Sequence, residues 1–236
     1  MQDPVLLPTD GQFIRGVMNK VLVLSPHPDD ESLGCGGTLR KHVVEGDEVQ
    51  IIFLTSGEQG GDGRPPEEVG KIREQEAKEA AAILGVSKIE FWRERNGEFH
   101  VNQRVIKRLR TKLIEWEPDI IYVTHDREIH SEHRAAARLV KRILSNGLSG
   151  EGRPDVFMFE IWTPLQTMNH IVDISPYIEV KRKAIQAHKS QCQIVDYDDA
   201  LLALNRYRGE MHIWPGVDYA EVFVKLPKPK KTLQRS

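Results

Sequence analysis

Short apolar segments recur along the chain, separated by longer segments with helical periodicity. The apolar segments are rich in β-branched and aromatic residues and occupy positions 21–24, 49–55, 89–92, 120–123 and 156–160. Strands that are buried on both faces of a sheet have this length and composition. The pattern therefore predicts a series of buried strands.

Helices are predicted in the intervals between these strands. Helical patterns cover residues 36–45, 67–84, 105–116 and 132–144, and Gly85 supplies a typical helix end. Alternating strands and helices predict an α/β fold, in which helices cover both faces of a mostly parallel sheet. Ligands of such sheets bind beyond the carboxyl ends of the strands. We therefore expect functional residues in the loops that follow the strands.

Length and composition describe an ordinary globular protein. The chain has 236 residues, of which 39% are hydrophobic and 29% are charged, and it shows neither an internal repeat nor a linker. We expect one domain over residues 1–236, with a short, basic and flexible tail at 226–236. The formal net charge of −2 lacks the positive excess that nucleic-acid binding requires, so a nucleic-acid partner is not expected.

The sequence predicts neither a membrane protein nor a secreted one. No segment approaches the ~20 apolar residues of a membrane span, and the N-terminal residues lack the apolar core of a signal peptide. The only cysteines, Cys35 and Cys192, lie far apart, and we expect both to be free. These features favour a cytoplasmic protein, and they leave open whether it forms a homo-oligomer.

The loop after the first strand concentrates charge. Residues 25–31 (SPHPDDE) contain one imidazole and three carboxylates. A divalent cation would offset this charge, and His27 and Asp30 can both reach one while Asp29 acts on a water molecule. The alternative is a solvated acidic loop in which Asp29 or Asp30 caps a helix.

A second cluster follows the fourth strand. His125, His130 and His133 lie within nine positions, and at a helix start His130 and His133 would share one face. The alternative is that they only cap the helix and face solvent. Together the two clusters supply two histidines and one aspartate, which leaves an open coordination position as in catalytic zinc sites. Iron(II), Fe²⁺, would accept the same ligands.

Three motifs lie in order along the chain. They are PHPDDE at 26–31, HSEH at 130–133 before an alanine-rich helix, and AHKSQ at 187–191. Their combination resembles the signature of the PIG-L/LmbE-like zinc-dependent N-acetylglucosamine deacetylases. The resemblance implies a Rossmann-like three-layer fold, a bound Zn²⁺ ion, and hydrolysis of an N-acetyl group on a glucosamine unit.

The resemblance also implies roles for individual residues. The metal ligands would be His27, Asp30 and His133. Asp29 would be the general base, and a cationic His130 would support the oxyanion. His188 matches a late histidine of the family, and either it or Asp29 would return a proton to the leaving amine.

Further residues would orient the site or contact the substrate, a small-molecule N-acetylated amino sugar. Three acids beside the histidines would fix the imidazole rings by accepting their N–H groups: Asp126, Glu128 and Glu132. Arg64, in the glycine-rich loop 57–64, and Arg73 would contact the substrate or an anionic aglycone. For Arg73, a salt bridge along its own helix or with a neighbouring helix is an equal alternative.

Two other functions compete with deacetylation. The first is a metal-dependent hydrolase of another bond, such as a phosphoester, although two-metal phosphoesterases need more ligands. The second is a sugar-binding module that has lost its chemistry, but Asp29 and all the expected ligands are retained. Acetate release, phosphate release and binding without turnover distinguish the three.

Overall fold

The computed structural model describes residues 18–61, 63–145 and 153–227. In chain order, its elements are β1 (Lys20–Ser25), α1 (Asp30–Glu45), β2 (Glu48–Thr55), α2 (Pro66–Leu84), β3 (Lys88–Glu94), α3 (Gln103–Trp116), β4 (Ile120–Thr124), α4 (Ser131–Ser145), β5 (Asp155–Phe159), β6 (His170–Asp173), a 3₁₀ turn (Ser175–Tyr177), α5 (Ile178–Ala187), α6 (Lys189–Cys192), α7 (Tyr197–His212) and β7 (Ala220–Lys225). Strands and helices alternate as far as β5, as the sequence pattern predicts.

The strands form a seven-stranded sheet in the order β3-β2-β1-β4-β5-β7-β6. The first five strands in this order run parallel, whereas β7 pairs antiparallel with both β5 and β6. The predicted mostly parallel sheet is therefore confirmed. The order reverses between β1 and β4, and loops at such a switch point diverge to leave a crevice.

Two hydrophobic cores, one on each face of the sheet, produce the three layers. On β1, Val21 and Val23 face the core that includes α1, α2 and α5, whereas Leu22 and Leu24 face the core of α3 and α4. Because side chains alternate along a strand, a run that is apolar at every position fills both cores. β1 is thus buried on both faces and lies between β2 and β4 in the interior of the sheet.

The first helix begins earlier than the sequence predicted. It starts at Asp30 rather than at residue 36, and it has a kink at Cys35 (φ −143°, ψ 17°). Gly34 and Gly37 lie inside this helix, where a Cβ on Gly34 would overlap Phe159 and one on Gly37 would lie 2.7 Å from Ile174. They permit close packing of α1 on its neighbours. The acidic residues of the first loop are therefore fixed at a helix start.

The elements after β5 were not predicted from the sequence. They comprise α5, α6, α7 and the antiparallel strands β6 and β7. Of the predicted basic tail, only Leu226 and Pro227 lie within the described residues. The Leu226 amide donates a hydrogen bond to the Val156 carbonyl (2.9 Å), so the start of the tail is attached to β5.

Cys35 and Cys192 are both free, as predicted. Over the described part of the chain, the model contains no helix with the combined length and apolar character of a membrane span.

Candidate active site

The loops that follow β1 and β4 meet at the switch point of the sheet. β1 and β4 are neighbouring parallel strands, so the residues after Ser25 and after Thr124 lie at the same edge. His27 and Asp30 come from the first loop and helix start, and His133 comes from the first turn of α4. The structure brings these three buried side chains together, as the fold prediction required.

The three side chains converge on one point. His27 Nδ1 lies 3.1 Å from Asp30 Oδ2, His133 Nε2 lies 3.2 Å from Asp30 Oδ1, and the two imidazole nitrogens are 3.3 Å apart. Ligands that bind one zinc ion tetrahedrally, at about 2.0–2.1 Å, lie about 3.3 Å from one another. The spacing therefore fits a single cation of this size.

The protonation of His27 supports the same conclusion. Its Nε2 lies 2.7 Å from Glu132 Oε2, an acceptor, so this nitrogen carries a proton and Nδ1 is the nitrogen that would bind a metal after losing its own proton. Burial lowers the pKa of His27, but Asp30 and Glu132 outweigh burial and raise it to about 9. The residues around Nδ1 thus stabilise positive charge at the convergence point, which suits a divalent cation.

Glu132 orients His27, one of the roles predicted for the neighbouring acids. Besides the bond from His27, its carboxylate accepts hydrogen bonds from Asn96 Nδ2 (2.6 Å) and from the amides of Gly97 and Phe99 (both 2.9 Å). Burial raises the pKa of Glu132, but these donors hold it below its usual value. An ionised Glu132 fixes the tautomer and the direction of the His27 ring.

The other two acids do not contact the imidazoles of the site. Asp126 forms an ion pair with Lys141 on the outer part of α4. Glu128 is buried and accepts amide hydrogen bonds from Ile161 (2.8 Å), Trp162 (3.0 Å) and Thr163 (3.1 Å). Glu128 also lies 3.6 Å from Nε2 of His125, but that ring is not among the metal-ligand candidates and bonds the Thr163 carbonyl. Neither acid therefore orients His27, His130 or His133.

Asp29 lies beside the convergence point in an unusual backbone conformation. Its φ is 136°, a strained value for a residue with a side chain, and its amide contacts Glu31 Oε2 at 3.2 Å. Burial raises the pKa of Asp29 to about 6, and the Arg73 cation opposes this rise. A carboxylate with such a pKa accepts protons at neutral pH.

Arg73 holds Asp29 rather than an aglycone. Its Nη2 contacts Asp29 Oδ2 (2.9 Å) and the Pro28 carbonyl (2.8 Å), and its Nη1 donates to the Gly57 carbonyl (3.0 Å). Of the two salt-bridge alternatives, the structure shows the one with a neighbouring helix, because Asp29 lies at the start of α1, 44 positions earlier in the chain. The expectation of an anionic ligand is also not supported, since Arg73 is already paired and buried.

His130 lies at the open side of the metal-ligand candidates. Its ring centroid is 4.8 Å from those of both His27 and His133, and its Nδ1 accepts a hydrogen bond from the Glu132 amide (3.3 Å). Burial, together with His27 and His133, lowers its pKa. The structure therefore favours a neutral ring with its proton on Nε2, rather than the cationic His130 that we expected.

His188 is buried and does not line the cavity beside Asp29. Its Nε2 lies 3.4 Å from Glu31 Oε1, and neither ring nitrogen makes a hydrogen bond to the described residues. Because Glu31 in turn contacts the Asp29 amide, His188 supports the Asp29 loop from behind. The predicted proton transfer from His188 to the leaving amine is not what this position favours.

A cavity of about 320 Å³ opens beside the convergence point. Loops after each of the strands β1 to β5 contribute to its wall, and the lining residues outside the predicted set are Leu33, Gln59, Gly60, Asn96, Gly97, Ser131, Trp162, Gln191 and Tyr197. Arg64 does not line it; this exposed residue borders a smaller neighbouring depression. Asp62, in the same glycine-rich loop, lies outside the described residues.

Several of these cavity residues were missed by the sequence analysis. Gln191 lies within the quoted AHKSQ motif, and its side chain donates a hydrogen bond to the Gly60 carbonyl (2.9 Å). Asn96 and Gly97, an adjacent pair after β3, also line the cavity. Trp162 and Tyr197 follow the last predicted strand, and no local motif marks either of them.

Comparison with known proteins supports the family resemblance that the three sequence motifs indicate. The PIG-L family model, described as GlcNAc-PI de-N-acetylase, matches residues 22–144, just over half of the chain. A diacetylchitobiose deacetylase from Thermococcus kodakarensis is 32% identical over 188 residues, which cover 74% of this chain and 70% of that protein. A protein from Bacillus anthracis named probable N-acetyl-α-D-glucosaminyl L-malate deacetylase 2 is 28% identical, with coverages of 72% and 80%.

A solved structure extends the likeness to the fold. The N,N'-diacetylchitobiose deacetylase from Pyrococcus horikoshii superposes with a TM-score of 0.77 and is 29% identical, covering 89% of this chain and 84% of that one. The matched family region spans both loops of the convergence point, from β1 to the end of α4. This chain is therefore a member of the PIG-L family of de-N-acetylases.

Proposed function

We propose that this protein is a metal-dependent hydrolase that removes the N-acetyl group from an N-acetylglucosamine unit of a small molecule. The observation that carries the proposal is the convergence of His27, Asp30 and His133, with Asp29 and His130 beside them, at the end of an open cavity. The named relatives are deacetylases of N-acetylated glucosamine compounds.

We infer that His27, Asp30 and His133 would hold the metal. Two imidazoles and one carboxylate form a ligand set typical of catalytic zinc, and Fe²⁺ is the alternative ion. When bound, such an ion would polarise the amide carbonyl and make a water molecule more acidic. Glu132 would keep His27 aligned through the Nε2 bond.

Asp29 would act as the general base. Its carboxylate lies next to the convergence point and, with a pKa of about 6, is ionised at neutral pH. It would accept a proton as the water oxygen bonds to the acetyl carbon. Arg73 and Glu31 fix the carboxylate and the backbone of Asp29, so the base is held in place before the substrate binds.

His130 would stabilise the negative charge that develops on the acetyl oxygen. A neutral ring whose Nδ1 accepts the Glu132 amide presents Nε2–H as a hydrogen-bond donor. A donor aimed at an oxyanion contributes most in a site that excludes water. His130 is half-buried and lines the cavity, which suits this role.

The same Asp29 would complete the reaction. Breaking the carbon–nitrogen bond leaves the amine nitrogen in need of a proton, and protonated Asp29 is the acid that lines the cavity with a pKa near neutrality. The products are acetate and the free amino sugar. We therefore assign His188 a supporting role behind Glu31 rather than a proton transfer.

The proposal is tested by measuring products together with bound metal. The purified protein is incubated with N,N'-diacetylchitobiose, and acetate and primary amine are quantified. We expect both in equal amounts, loss of activity with a chelator, and recovery with Zn²⁺. Asp29→Asn should keep about one metal ion per chain and lose turnover by at least about a hundredfold.

Other results would favour the competing functions. Phosphate release from a phosphoester, without acetate release from any N-acetyl sugar, would identify a phosphoesterase. Saturable sugar binding without product would identify a binding module. The cytoplasmic location and the lack of a nucleic-acid partner stay predictions from the sequence, which leaves the oligomeric state open.

A further inference from the structure

An exposed tryptophan stands on the rim of the cavity. Trp162, in the loop after β5, is 48% exposed and lines the cavity together with Tyr197, which is only 8% exposed. The two rings meet edge to face, with centroids 5.7 Å apart and an interplanar angle of 76°. Tyr197 therefore supports one side of Trp162 and leaves much of the indole accessible.

The backbone that carries Trp162 is held firmly. Glu128 accepts hydrogen bonds from the amides of residues 161, 162 and 163 within 3.1 Å. Thr163 adds two bonds to the loop after β4: its hydroxyl accepts the Ile129 amide (2.9 Å), and its carbonyl faces His125 Nε2 (2.7 Å). An exposed aromatic ring on a fixed backbone needs little ordering when it binds a ligand.

This fixed loop is joined to the catalytic loop. Glu128 and Ile129 directly precede His130, so the segment that presents Trp162 is bonded to the segment that presents the oxyanion donor. The distance between Trp162 and the reacting centre is thereby defined by the fold. Trp162 and His130 line the same cavity, so a ligand that extends from the acetamide group along this wall can contact both.

The charges in the cavity disfavour an anionic extension. Its acidic lining residues are Asp29, Asp30 and Glu132, and Arg73 is the only lysine or arginine among its described lining residues. Arg73 is already bonded to Asp29 and to two carbonyls. The metal would offset the acidic residues, but no unpaired lysine or arginine of the described lining is left to bind a carboxylate or phosphate on the substrate.

We propose that Trp162 is the stacking platform of a subsite for a neutral sugar ring linked to the N-acetylglucosamine unit that reacts. The inference rests on the proposed deacetylase function and narrows its substrate class to uncharged oligosaccharides such as N,N'-diacetylchitobiose. One face of a pyranose ring presents C–H groups, which pack on an aromatic face, while its hydroxyls remain free to bond. Gln59 and Gln191 line the same cavity and offer amide groups to such hydroxyls.

Kinetics on a pair of substrates test the proposal. For the wild type, we expect kcat/KM to be about tenfold higher with N,N'-diacetylchitobiose than with N-acetylglucosaminyl malate. Trp162→Ala should raise KM for diacetylchitobiose about tenfold, the size of a lost aromatic contact, with little change in kcat. Trp162→Phe, which keeps a stacking face, should restore most of the affinity.

Trp214 provides the matched control. It is 94% exposed and does not line the cavity, so Trp214→Ala should leave KM unchanged. A binding measurement avoids turnover: in the Asp29→Asn background, diacetylchitobiose should change the tryptophan fluorescence. Trp162→Phe should abolish that change, and Trp214→Phe should retain it.

The outcomes separate this inference from the proposed function. If the wild type deacetylates the disaccharide but Trp162→Ala matches it in KM and kcat, the stacking platform is wrong. A preference for the malate conjugate would overturn the neutral substrate class. Failure of the wild type to release acetate from any N-acetyl sugar would instead reject the proposed function itself.

Discussion

Arg73 and Asp29 form a buried ion pair at the wall of the cavity, with Nη2 and Oδ2 2.9 Å apart. Burial raises the pKa of Asp29, and the guanidinium limits the rise to a value of about 6. The pair connects α2 with the start of α1 and therefore positions the proposed base as well as adjusting its acidity. Both effects can be measured separately.

Replacing Arg73 should shift the pH profile of the enzyme. A base works when ionised, so kcat/KM increases as pH rises through the pKa of Asp29. Arg73→Ala removes a neighbouring positive charge, which raises that pKa, and the ascending limb should move to higher pH by about one unit. The measurement is kcat/KM for acetate release between pH 5 and 9.

Two variants control this prediction. Arg73→Lys keeps the charge and should move the limb less. Arg93→Ala removes an arginine whose side chain is largely exposed and pairs with Glu74, and it should leave the limb unchanged. An Arg73→Ala profile that is lower in height but unshifted would show that Arg73 acts only on geometry.

The local patterns of the sequence predicted the first five strands and the position of the metal-ligand candidates. Each strand up to β5 lies within two residues of its predicted bounds, because an apolar run between polar loops is a local signal. The expectation that loops after β1 and β4 share an edge followed from the parallel sheet alone. His27, Asp30 and His133 could therefore be placed together before any coordinates were known.

The other parts of the site and the fold depend on contacts between distant segments, which no local sequence pattern indicates. Arg73 bonds to Asp29, and the amides of residues 161–163 bond to Glu128. These segments are distant in sequence, and nothing in the local sequence indicates which acid each of them contacts. The helix start at Asp30 was missed because the first turns of α1 contain glycines, which serve close packing and do not show a helical pattern. The antiparallel strands β6 and β7 break the alternation on which the topology was argued.

Removing the Glu132 carboxylate should weaken metal binding. Glu132 accepts the His27 Nε2 proton and so fixes the ring that presents Nδ1 to the metal. Loss of such an orienting partner lowers metal affinity by roughly 10–100-fold. We expect this loss for Glu132→Ala in a competition titration of Zn²⁺ against a chromophoric chelator.

Glu132→Gln and Glu68→Gln are the controls for this prediction. Glutamine retains an oxygen that can accept the His27 proton, so its effect should be smaller than that of alanine. Glu68 is an exposed residue of α2, and its substitution should not change the affinity. Equal zinc affinity for the wild type and Glu132→Ala would contradict the assignment of Glu132.

His130 should affect turnover without affecting metal content. The ligand atoms of His27, His130 and His133 lie within 4.8 Å of one another, so His130 is also near enough to be considered a ligand. We assign the metal to the more closely spaced set that includes Asp30. His130→Ala should then lower kcat roughly a hundredfold, as for a lost oxyanion donor, with the zinc stoichiometry unchanged. Loss of the zinc in this variant would make His130 a ligand instead.

A fully buried ion pair stabilises the kink of the helix that carries the site. Lys181 Nζ on α5 contacts Glu221 Oε1 on β7 (2.6 Å) and the Leu33 carbonyl (2.8 Å). Glu221 also accepts the amides of Gly37 (3.0 Å) and Thr38 (2.8 Å), which follow the non-helical residue Cys35 by two and three positions. The pair thus satisfies backbone groups that the break in α1 leaves without helical partners.

Breaking this pair should destabilise the fold more than removing it completely. Lys181→Met or Glu221→Gln alone leaves an unpaired group in the core and should cost about 3–5 kcal/mol of unfolding free energy. In the double variant neither charge remains buried, so its loss should be clearly smaller than the sum of the two single losses. Urea unfolding of the four proteins, followed by circular dichroism, gives these values. A double variant whose loss equals that sum would show that the two residues act independently and would contradict a coupled ion pair at this position.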